Sequence, residues 1–345
     1  MSGAAGVAAG RGVDAAVEAF VSEVGTEGPV AAVGGRTRWD LGGPLADGTR
    51  LVVAPAGIIE HRPAEMTVRV RAGTPVAELH AALAEAGQRT ALPERGGTVG
   101  GALAVGESDL CALGRGPARD ALLQVRYVSA EGRLVTGGGP TVKNVSGYDL
   151  PRLLVGSLGT LGLLAEAVLR TQACPEATCW LQADGVDPFA ARDAVYRPAA
   201  VLWDGRRTWI RLEGHPGDVA ASRRALGRLG GWEDAEGPPA LPVHRWSLPP
   251  SELRALPGRG GPGAGAPRSE ARNPEDRAQQ GAPGGGPGRW VALVGVGTVL
   301  ADRPAPRRVP PAGILELSRR MKAAFDPTGR LSPGRAVVAA SGGGA

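Results

Sequence analysis

Short apolar runs alternate with single amphipathic helices in the first half of the chain. Apolar residues at helical spacing over 14–24 predict a helix, and alternating apolar and polar residues over 66–72 predict a strand. Thr74 and Pro75 predict the next helix start, with Thr as N-cap and Pro at the first helical position, and Gly87 predicts its end. Short strands separated by single helices predict an α+β fold. Further strands or strand–helix units are expected at 29–33, 51–54, 121–129, 133–136 and 159–171.

The second half combines a predicted hairpin with a stretch of unusual composition. Strands at 199–203 and 208–212 are expected to pair across the Asp-Gly turn at 204–205. Residues 257–289 are almost wholly Gly, Pro, Ala, Arg and acidic or amide residues, which cannot bury enough apolar surface to become ordered. We therefore predict a disordered insert over 257–289. The remaining elements are expected as helices at 219–229 and 312–325 and as strands at 241–248 and 290–300.

Composition narrows the classes of function. A length of 345 residues favours two lobes, because single cores rarely grow much beyond about 250–300 residues. The net charge of +5 comes almost wholly from arginine, which suits an anionic ligand. No basic run is interleaved with aromatics, so nucleic-acid binding is not expected. No apolar stretch reaches the roughly 18–20 residues of a membrane span, and no basic leader precedes the apolar N-terminus, so the cytoplasm is the expected location.

Three sparse cysteines argue against a disulfide framework. Cys111, Cys174 and Cys179 form no complete set of metal ligands with the four histidines, so no metal site is predicted. The chain also lacks the cysteine runs that hold iron–sulfur clusters. If electrons leave through such a cluster, a partner must supply it.

Two glycine-rich segments carry the candidate chemistry. They read VGGRTRWDLGG at 33–43 and GGTVGGALAVG at 96–106. Paired glycines let backbone N–H groups approach a pyrophosphate closely. Neither segment has the Rossmann or Walker pattern. We predict that both turns converge on one diphosphate.

Together with two further segments, these loops resemble a known family. The third segment, VKNVSGYDL at 142–150, is followed by GSLGTLG at 156–162, and the fourth reads MKAAFDPTGRLSPGR at 321–335. In this order they resemble the PCMH-type FAD-binding proteins related to vanillyl-alcohol oxidase, and most closely the FAD-binding small subunits of bacterial glycolate oxidases. The resemblance implies a two-subdomain FAD-binding domain over 1–173 and a small α+β cap over 174–311. A C-terminal helix and tail over 312–345 would return to the FAD domain.

The resemblance also implies cofactor-binding residues. The first loop would contact the pyrophosphate and ribose, and the second would line the other side of the cofactor, near the phosphate and the flavin. Pro93 would turn the chain toward the isoalloxazine. The segment after 156 would line the adenine or ribityl end. Ser332 stands where the family usually has Asn. The implied residues are Gly34, Gly35, Arg36, Thr37, Arg38, Trp39, Pro93, Thr98, Gly100, Gly101, Lys143, Gly159, Gly162 and Leu163.

By the same resemblance, the chain is a FAD-dependent oxidoreductase subunit of a glycolate-type 2-hydroxy-acid complex. The expected partners are a second flavoprotein and an iron–sulfur subunit, and any membrane association would be peripheral and through them. Dissociable FAD is expected, because no histidine lies at a tether position. Acid–base candidates are few: His61 on a predicted loop, His80 on the polar side of a helix, and Tyr148. No catalytic residue is assigned, so an electron-relay subunit and a stand-alone oxidase or dehydrogenase of another alcohol or acid stay open.

Overall fold

The computed structural model describes residues 14–139, 149–256, 288–305 and 310–336. Two 3-10 turns lie at Pro63–Glu65 and Pro250–Ala255. The helices are α1 (Ala15–Val24), α2 (Val76–Glu85), α3 (Val99–Val105), α4 (Ala112–Arg115), α5 (Ala118–Ala121), α6 (Leu150–Leu154), α7 (Pro188–Asp193), α8 (Pro216–Leu226) and α9 (Ala312–Phe325). The strands are β1 (Val30–Ala32), β2 (Arg50–Val52), β3 (Ile58–Arg62), β4 (Thr67–Arg71), β5 (Gln88–Arg89), β6 (Leu122–Val128), β7 (Leu134–Gly138), β8 (Leu163–Arg170), β9 (Gln172–Ala173), β10 (Ala177–Asp184), β11 (Ala200–Trp203), β12 (Arg207–Gly214), β13 (Glu233–Ala235), β14 (His244–Ser247), β15 (Trp290–Leu293) and β16 (Thr298–Ala301).

Two larger sheets organise these elements. The first has five antiparallel strands in the order β3-β4-β8-β6-β7, and the second has seven in the order β13-β10-β12-β11-β15-β16-β14. A small parallel pair, β1-β2, and the pair β5-β9 complete the first half. Strands and helices are therefore mixed without a repeating parallel unit, and the predicted α+β fold is confirmed.

The cores follow the sheets. One cluster joins the five-stranded sheet to α2 and α3 through residues such as Val70, Leu79 and Leu103. A second packs α1 and the β1-β2 pair against the opposite side of the same region, where Leu163 lies. Strand β8 is buried along seven of its eight residues because protein covers both of its faces. A separate cluster joins the seven-stranded sheet to α7 and α8.

The segment after α9 returns to the first half of the chain. Leu331 bridges Val30 in a parallel arrangement, which extends the small β1-β2 pair. Arg330 is 5% exposed and donates from its guanidinium to five backbone carbonyls, those of residues Val24, Gly25, Glu27, Gly28 and Ala130. All five N–H donors of this side chain are thereby satisfied. The segment around Leu331 thus forms part of the core that packs α1.

Most sequence-predicted elements are confirmed, and two need correction. The helix predicted at 312–325 and the hairpin across Asp204 appear as expected. Thr74 is not the N-cap of α2: Pro75 takes that position, because a bridge to Thr98 holds it extended. Residues 290–300 form a hairpin rather than one strand, since Gly295 and Gly297 adopt left-handed φ values of 86° and 83°.

Two sequence predictions stay predictions. Strand β9 pairs with β5 of the first half and β10 belongs to the seven-stranded sheet, while the domain division at 173/174 stays a prediction. The disordered insert predicted over 257–289 lies outside the described residues, except for its last two positions. Among the described helices, none is long and apolar enough to cross a bilayer.

Candidate functional site

The two glycine-rich loops pack against each other. A Cβ built on Gly34 would lie 2.5 Å from Thr98 Oγ1, and one on Gly35 would lie 3.2 Å from the Cα of Gly97. Gly97 itself adopts a φ of 85°, and a Cβ there would lie 2.7 Å from Thr37 Oγ1. Real Cβ atoms do not tolerate contacts under about 3 Å, so the approach requires glycine. The two turns therefore meet, and their convergence on one diphosphate stays a prediction.

The second loop is held at the start of α3. Thr98 is the N-cap, and its Oγ1 accepts from the Gly101 N–H at 3.2 Å. The Gly100 N–H donates to the Ala72 carbonyl at 2.7 Å, and a Cβ on Gly100 would lie 2.8 Å from the Ala72 Cβ. Gly100 therefore joins the loop to the end of β4, and its amide is already used within the chain.

A groove runs between the loops; we call it the loop cleft. Its outer part is lined by the first loop and by Thr98 and Gly101, and its inner part continues past Gly100. Of the sequence-predicted residues, the outer part holds Gly34, Gly35, Arg36, Thr37, Arg38, Trp39, Thr98 and Gly101, and the inner part holds Gly100, Gly159, Gly162 and Leu163.

Sequence reasoning missed part of the cleft wall. Ala104, Leu158 and Ser332 line both parts, and Arg335 lines the outer part. Leu158 lies within the GSLGTLG segment at 156–162, and Arg335 ends the fourth segment of the resemblance. The signal was present in those segments, but glycine spacing alone could not single these residues out. Lys143 lies outside the described residues.

Arginines supply positive charge along the outer cleft. Arg38 forms an ion pair with Glu107 and donates to Thr37 Oγ1 at 2.7 Å and to the Gly96 carbonyl at 3.0 Å. Its Nη2 atom is buried and has no hydrogen-bond partner among the described residues. Burial and the neighbouring Arg95 lower the pKa of the Arg38 guanidinium. An anion in the cleft would interact favourably with the Arg38 guanidinium, which lines it, and offset the cost of its desolvation.

Two further guanidinium groups lie near the ring of Trp39. The Cζ of Arg335 is 4.6 Å from its ring centroid and that of Arg36 is 5.5 Å away. Arg335 also donates to the Leu41 carbonyl, and burial lowers the pKa of its guanidinium. These cation–π contacts fix two positive charges on the same wall as the first loop.

Pro93 does not line the loop cleft. It lines a cavity of about 330 Å³ between the second loop's flank and the seven-stranded sheet, which we call the sheet cavity. Glu107 connects the two spaces, because it pairs with Arg38 in the cleft and with Arg95 in the sheet cavity at 3.3 Å. The loop cleft and the sheet cavity therefore share a charged wall.

The acid–base candidates need correction. His61 lies on strand β3, not on a loop, and its Nε2 is 3.0 Å from Gln88 Oε1. His80 is half-buried rather than solvent-exposed, since its Nε2 is enclosed without a partner among the described residues. Burial lowers the pKa of the His80 imidazole. Neither histidine lines the loop cleft or the sheet cavity, and Tyr148 lies outside the described residues.

Comparisons with known proteins agree with this geometry. Residues 12–138 match the family model described as FAD binding domain. The chain is 34% identical over 209 residues to glycolate oxidase subunit GlcE of Escherichia coli, which covers 58% of this chain and 60% of that protein. It is 40% identical over 79 residues to glycolate oxidase subunit GlcD of Bacillus subtilis, covering 23% of this chain and 17% of GlcD. The matches span less than two thirds of each relative.

A likeness to a solved structure supports the fold. Alkyldihydroxyacetonephosphate synthase superposes with a TM-score of 0.52 at 17% identity, over 65% of this chain and 51% of that one. At this identity the likeness concerns the arrangement of helices and strands alone.

Proposed function

From the premise that the chain contains a FAD-binding domain over residues 12–138, we propose that it works as a flavoprotein subunit of a glycolate-type 2-hydroxy-acid oxidoreductase complex. It binds FAD non-covalently in the loop cleft and passes electrons onward. The similarity to GlcE and GlcD, which are named as glycolate oxidase subunits, supports the choice of complex.

The observation that carries the proposal is the contact between the two glycine loops. Gly34 and Gly35 lie against Thr98 and Gly97 so closely that a methyl group on Gly34 would clash. Arg38 lines the resulting groove and brings a guanidinium charge to its wall. A narrow backbone-walled groove with a guanidinium group in its wall fits a diphosphate.

FAD supplies an isoalloxazine ring that takes up and releases electrons. The chain's own residues hold and orient the cofactor. Arg38 neutralises phosphate charge, while Glu107 keeps this guanidinium in position. Arg335 and Trp39 wall the outer end, and Leu163, which is fully buried, walls the inner end.

Dissociable FAD follows from the lining of the cleft. Among the described residues that line it, none is His or Cys, the side chains that tether flavins covalently in some relatives of the family. Precipitation with trichloroacetic acid should release all yellow colour into the supernatant. Colour that stays in the pellet would contradict this part of the proposal.

Arg38 gives the sharpest test of the binding site. Arg38→Gln should weaken FAD binding about 10- to 100-fold, because a charge-assisted hydrogen bond is worth about 1.5–3 kcal/mol. The measurement is a titration of the apo chain with FAD, followed by flavin fluorescence. Arg133→Gln is the control, because Arg133 is exposed and lies outside the cleft lining. Equal affinities in both variants would contradict the assignment.

Two experiments separate the proposed complex from its alternatives. Affinity purification from native extract should recover a second flavoprotein and an iron–sulfur protein, and recovery of neither would contradict the complex. Anaerobic mixing of the isolated chain with glycolate or lactate should then be followed at the flavin absorbance bands. Bleaching assigns substrate oxidation to this chain, an unchanged spectrum favours the electron-relay role, and turnover without partners favours a stand-alone oxidase or dehydrogenase.

A further inference from the structure

The seven-stranded sheet contacts the FAD-binding half through a small apolar surface. Among the described residues, the buried clusters of this sheet contain three apolar side chains from the first half, Leu110, Cys111 and Leu113, all on or beside α4. The backbones also touch, because the Gly114 N–H donates to the Ala199 carbonyl at 3.2 Å. Two structural units whose contact buries little apolar surface are expected to move relative to each other.

A group of charged side chains crosses the same contact; we call Arg89, Asp109, Arg115, Arg211 and Glu213 the Glu213 cluster. The Glu213 side chain on β12 is 7% exposed, and its carboxylate pairs with Arg89 at 2.7 Å and with Arg115 and Arg211 at 2.8 Å each. Arg115 pairs in addition with Asp109 at 2.6 Å. Arg89 lies on β5 and Arg115 on α4. The ion pairs of Glu213 with these two arginines therefore join the FAD-binding half to the seven-stranded sheet.

Charged contacts of this kind hold two units together without fixing them in one arrangement. Removing charges from water costs free energy that their mutual attraction returns only in part. When the two halves separate, water hydrates the guanidinium groups and the carboxylates again. The separated state therefore lies closer in free energy than it would if an apolar core of the same area became exposed.

The Glu213 cluster also separates two spaces. Arg115 and Arg211 line the sheet cavity, whereas Arg89 and Glu213 line an open depression of about 520 Å³ beside α8. The ion pairs of the cluster thus form the wall between the depression and the sheet cavity. Breaking the pairs across the contact would join the two spaces.

We propose that the Glu213 cluster is an electrostatic latch. When its ion pairs break, the seven-stranded sheet moves away from α4 and the sheet cavity becomes accessible to solvent through the depression. The latch is carried by the contact between the two halves of the chain, and it depends neither on FAD nor on a partner subunit.

Amide hydrogen exchange of the full-length chain measures the opening directly. After α4 leaves the sheet, its four residues are too few for a stable helix in water, so its amides should exchange. Strand β8 is the reference, because seven of its eight residues are buried and its amides exchange only on global unfolding. We expect α4 to exchange faster than β8 and with little dependence on urea, since the opening exposes little surface.

Arg89 and Arg211 provide a matched pair of variants. Arg89→Gln removes an ion pair between the halves and should raise the exchange rate of α4 by about tenfold or more. Arg211→Gln removes an ion pair with the same carboxylate, but both residues lie on β12, so the exchange rate of α4 should stay nearly unchanged. If Arg89→Gln does not fold, Arg89→Lys should raise the rate of α4 in the same direction by a smaller factor.

Glu166→Gln separates the latch from general stability. Glu166 is a buried carboxylate that pairs with Arg69 at 2.7 Å and with Arg126 at 3.0 Å inside the five-stranded sheet. These pairs persist when the latch opens, so Glu166→Gln should speed exchange of β8 and leave that of α4 unchanged.

Three results would overturn the proposal. They are equal exchange rates and urea dependence for α4 and β8, equal effects of Arg89→Gln and Arg211→Gln on α4, and faster exchange of α4 in Glu166→Gln. Flavin absorbance recorded on the same samples reports FAD binding separately, so failure of the latch and failure of the proposed function are distinguishable.

Discussion

The contact between Gly34 and Thr98 predicts a specific pattern of stability changes. Gly34→Ala places a Cβ 2.5 Å from Thr98 Oγ1 and 3.2 Å from Thr98 Cγ2. Either the threonine side chain rotates away or the first loop moves outward. Rotation breaks the 3.2 Å hydrogen bond from the Gly101 N–H that caps α3.

The magnitude follows from these two consequences. Loss of an N-cap costs about 1 kcal/mol, and forcing an extra methyl group into a packed site costs about 1–3 kcal/mol. We expect Gly34→Ala to lower the free energy of unfolding by about 2 kcal/mol, and Thr98→Ala alone to lower it by about 1 kcal/mol. In the Thr98→Ala background both clashing atoms are gone. Gly34→Ala should then be neutral or stabilising by about 0.5 kcal/mol, because alanine restricts the unfolded chain.

The assay is a double-mutant cycle by urea unfolding of the FAD-free chain. A coupling energy of about 2 kcal/mol between positions 34 and 98 is expected, with the double variant more stable than Gly34→Ala. Gly231→Ala is the control, since a Cβ added at Gly231 would meet no atom within 4 Å and its φ is outside the left-handed region. It should change stability by only a small fraction of the Gly34→Ala effect. The same cost for Gly34→Ala in both backgrounds would refute the packing argument.

Three further predictions concern the rest of the chain. Arg330→Lys should lower the free energy of unfolding by about 3–5 kcal/mol in urea, because one ammonium group cannot satisfy five buried carbonyls; a loss below about 1 kcal/mol would contradict this. Burial raises the pKa of Asp326, but the Lys322 ammonium and backbone N–H donors outweigh burial and hold this pKa below its usual value. The stability that this carboxylate contributes is therefore present above about pH 4 and is lost on further acidification. Asp326→Asn should flatten this acid limb of a Tm–pH curve. Burial raises the pKa of the Cys111 thiol to about 12. A thiol-specific reagent at about pH 8 should therefore modify the exposed Cys174 quickly and Cys111 only after unfolding. Rapid labelling of Cys111 in the native chain would contradict its burial.

Local sequence patterns were sufficient to predict those helices and strands whose residues are neighbours both in sequence and in space. The helix Ala312–Phe325 is bounded as predicted because its amphipathic repeat ends at an Asp-Pro pair. The two loops were predictable as a pair only through the resemblance, since no glycine pattern states that Gly34 meets Thr98. Contacts between such distant segments depend on the whole fold.

The features that were harder to predict depend on segments that are far apart in sequence, which either pair with each other or bury a helix face. His80 falls on the polar side of α2, but that side is half-buried in the structure, where Glu94 and Asp109 act on its imidazole. Arg245 lies on a four-residue strand whose partner, β16, follows about fifty residues later. The strand itself was predicted within 241–248, but nothing local indicates that this arginine has no carboxylate partner in the described part of the chain.

The segment after α9 completes the wall of the loop cleft. Ser332 and Arg335 line the groove, and Arg330 ties the same segment to the carbonyls beside α1. During synthesis the two glycine loops leave the ribosome some two hundred residues before this last wall does. If FAD binds in the loop cleft as proposed, its site is complete only after residues up to Arg335 have been made, and a fragment limited to the matched region 12–138 would lack both this wall and the guanidinium that anchors it. Linking residues 326–336 directly to a shortened N-terminal half would be the rational route to a minimal flavin-binding unit.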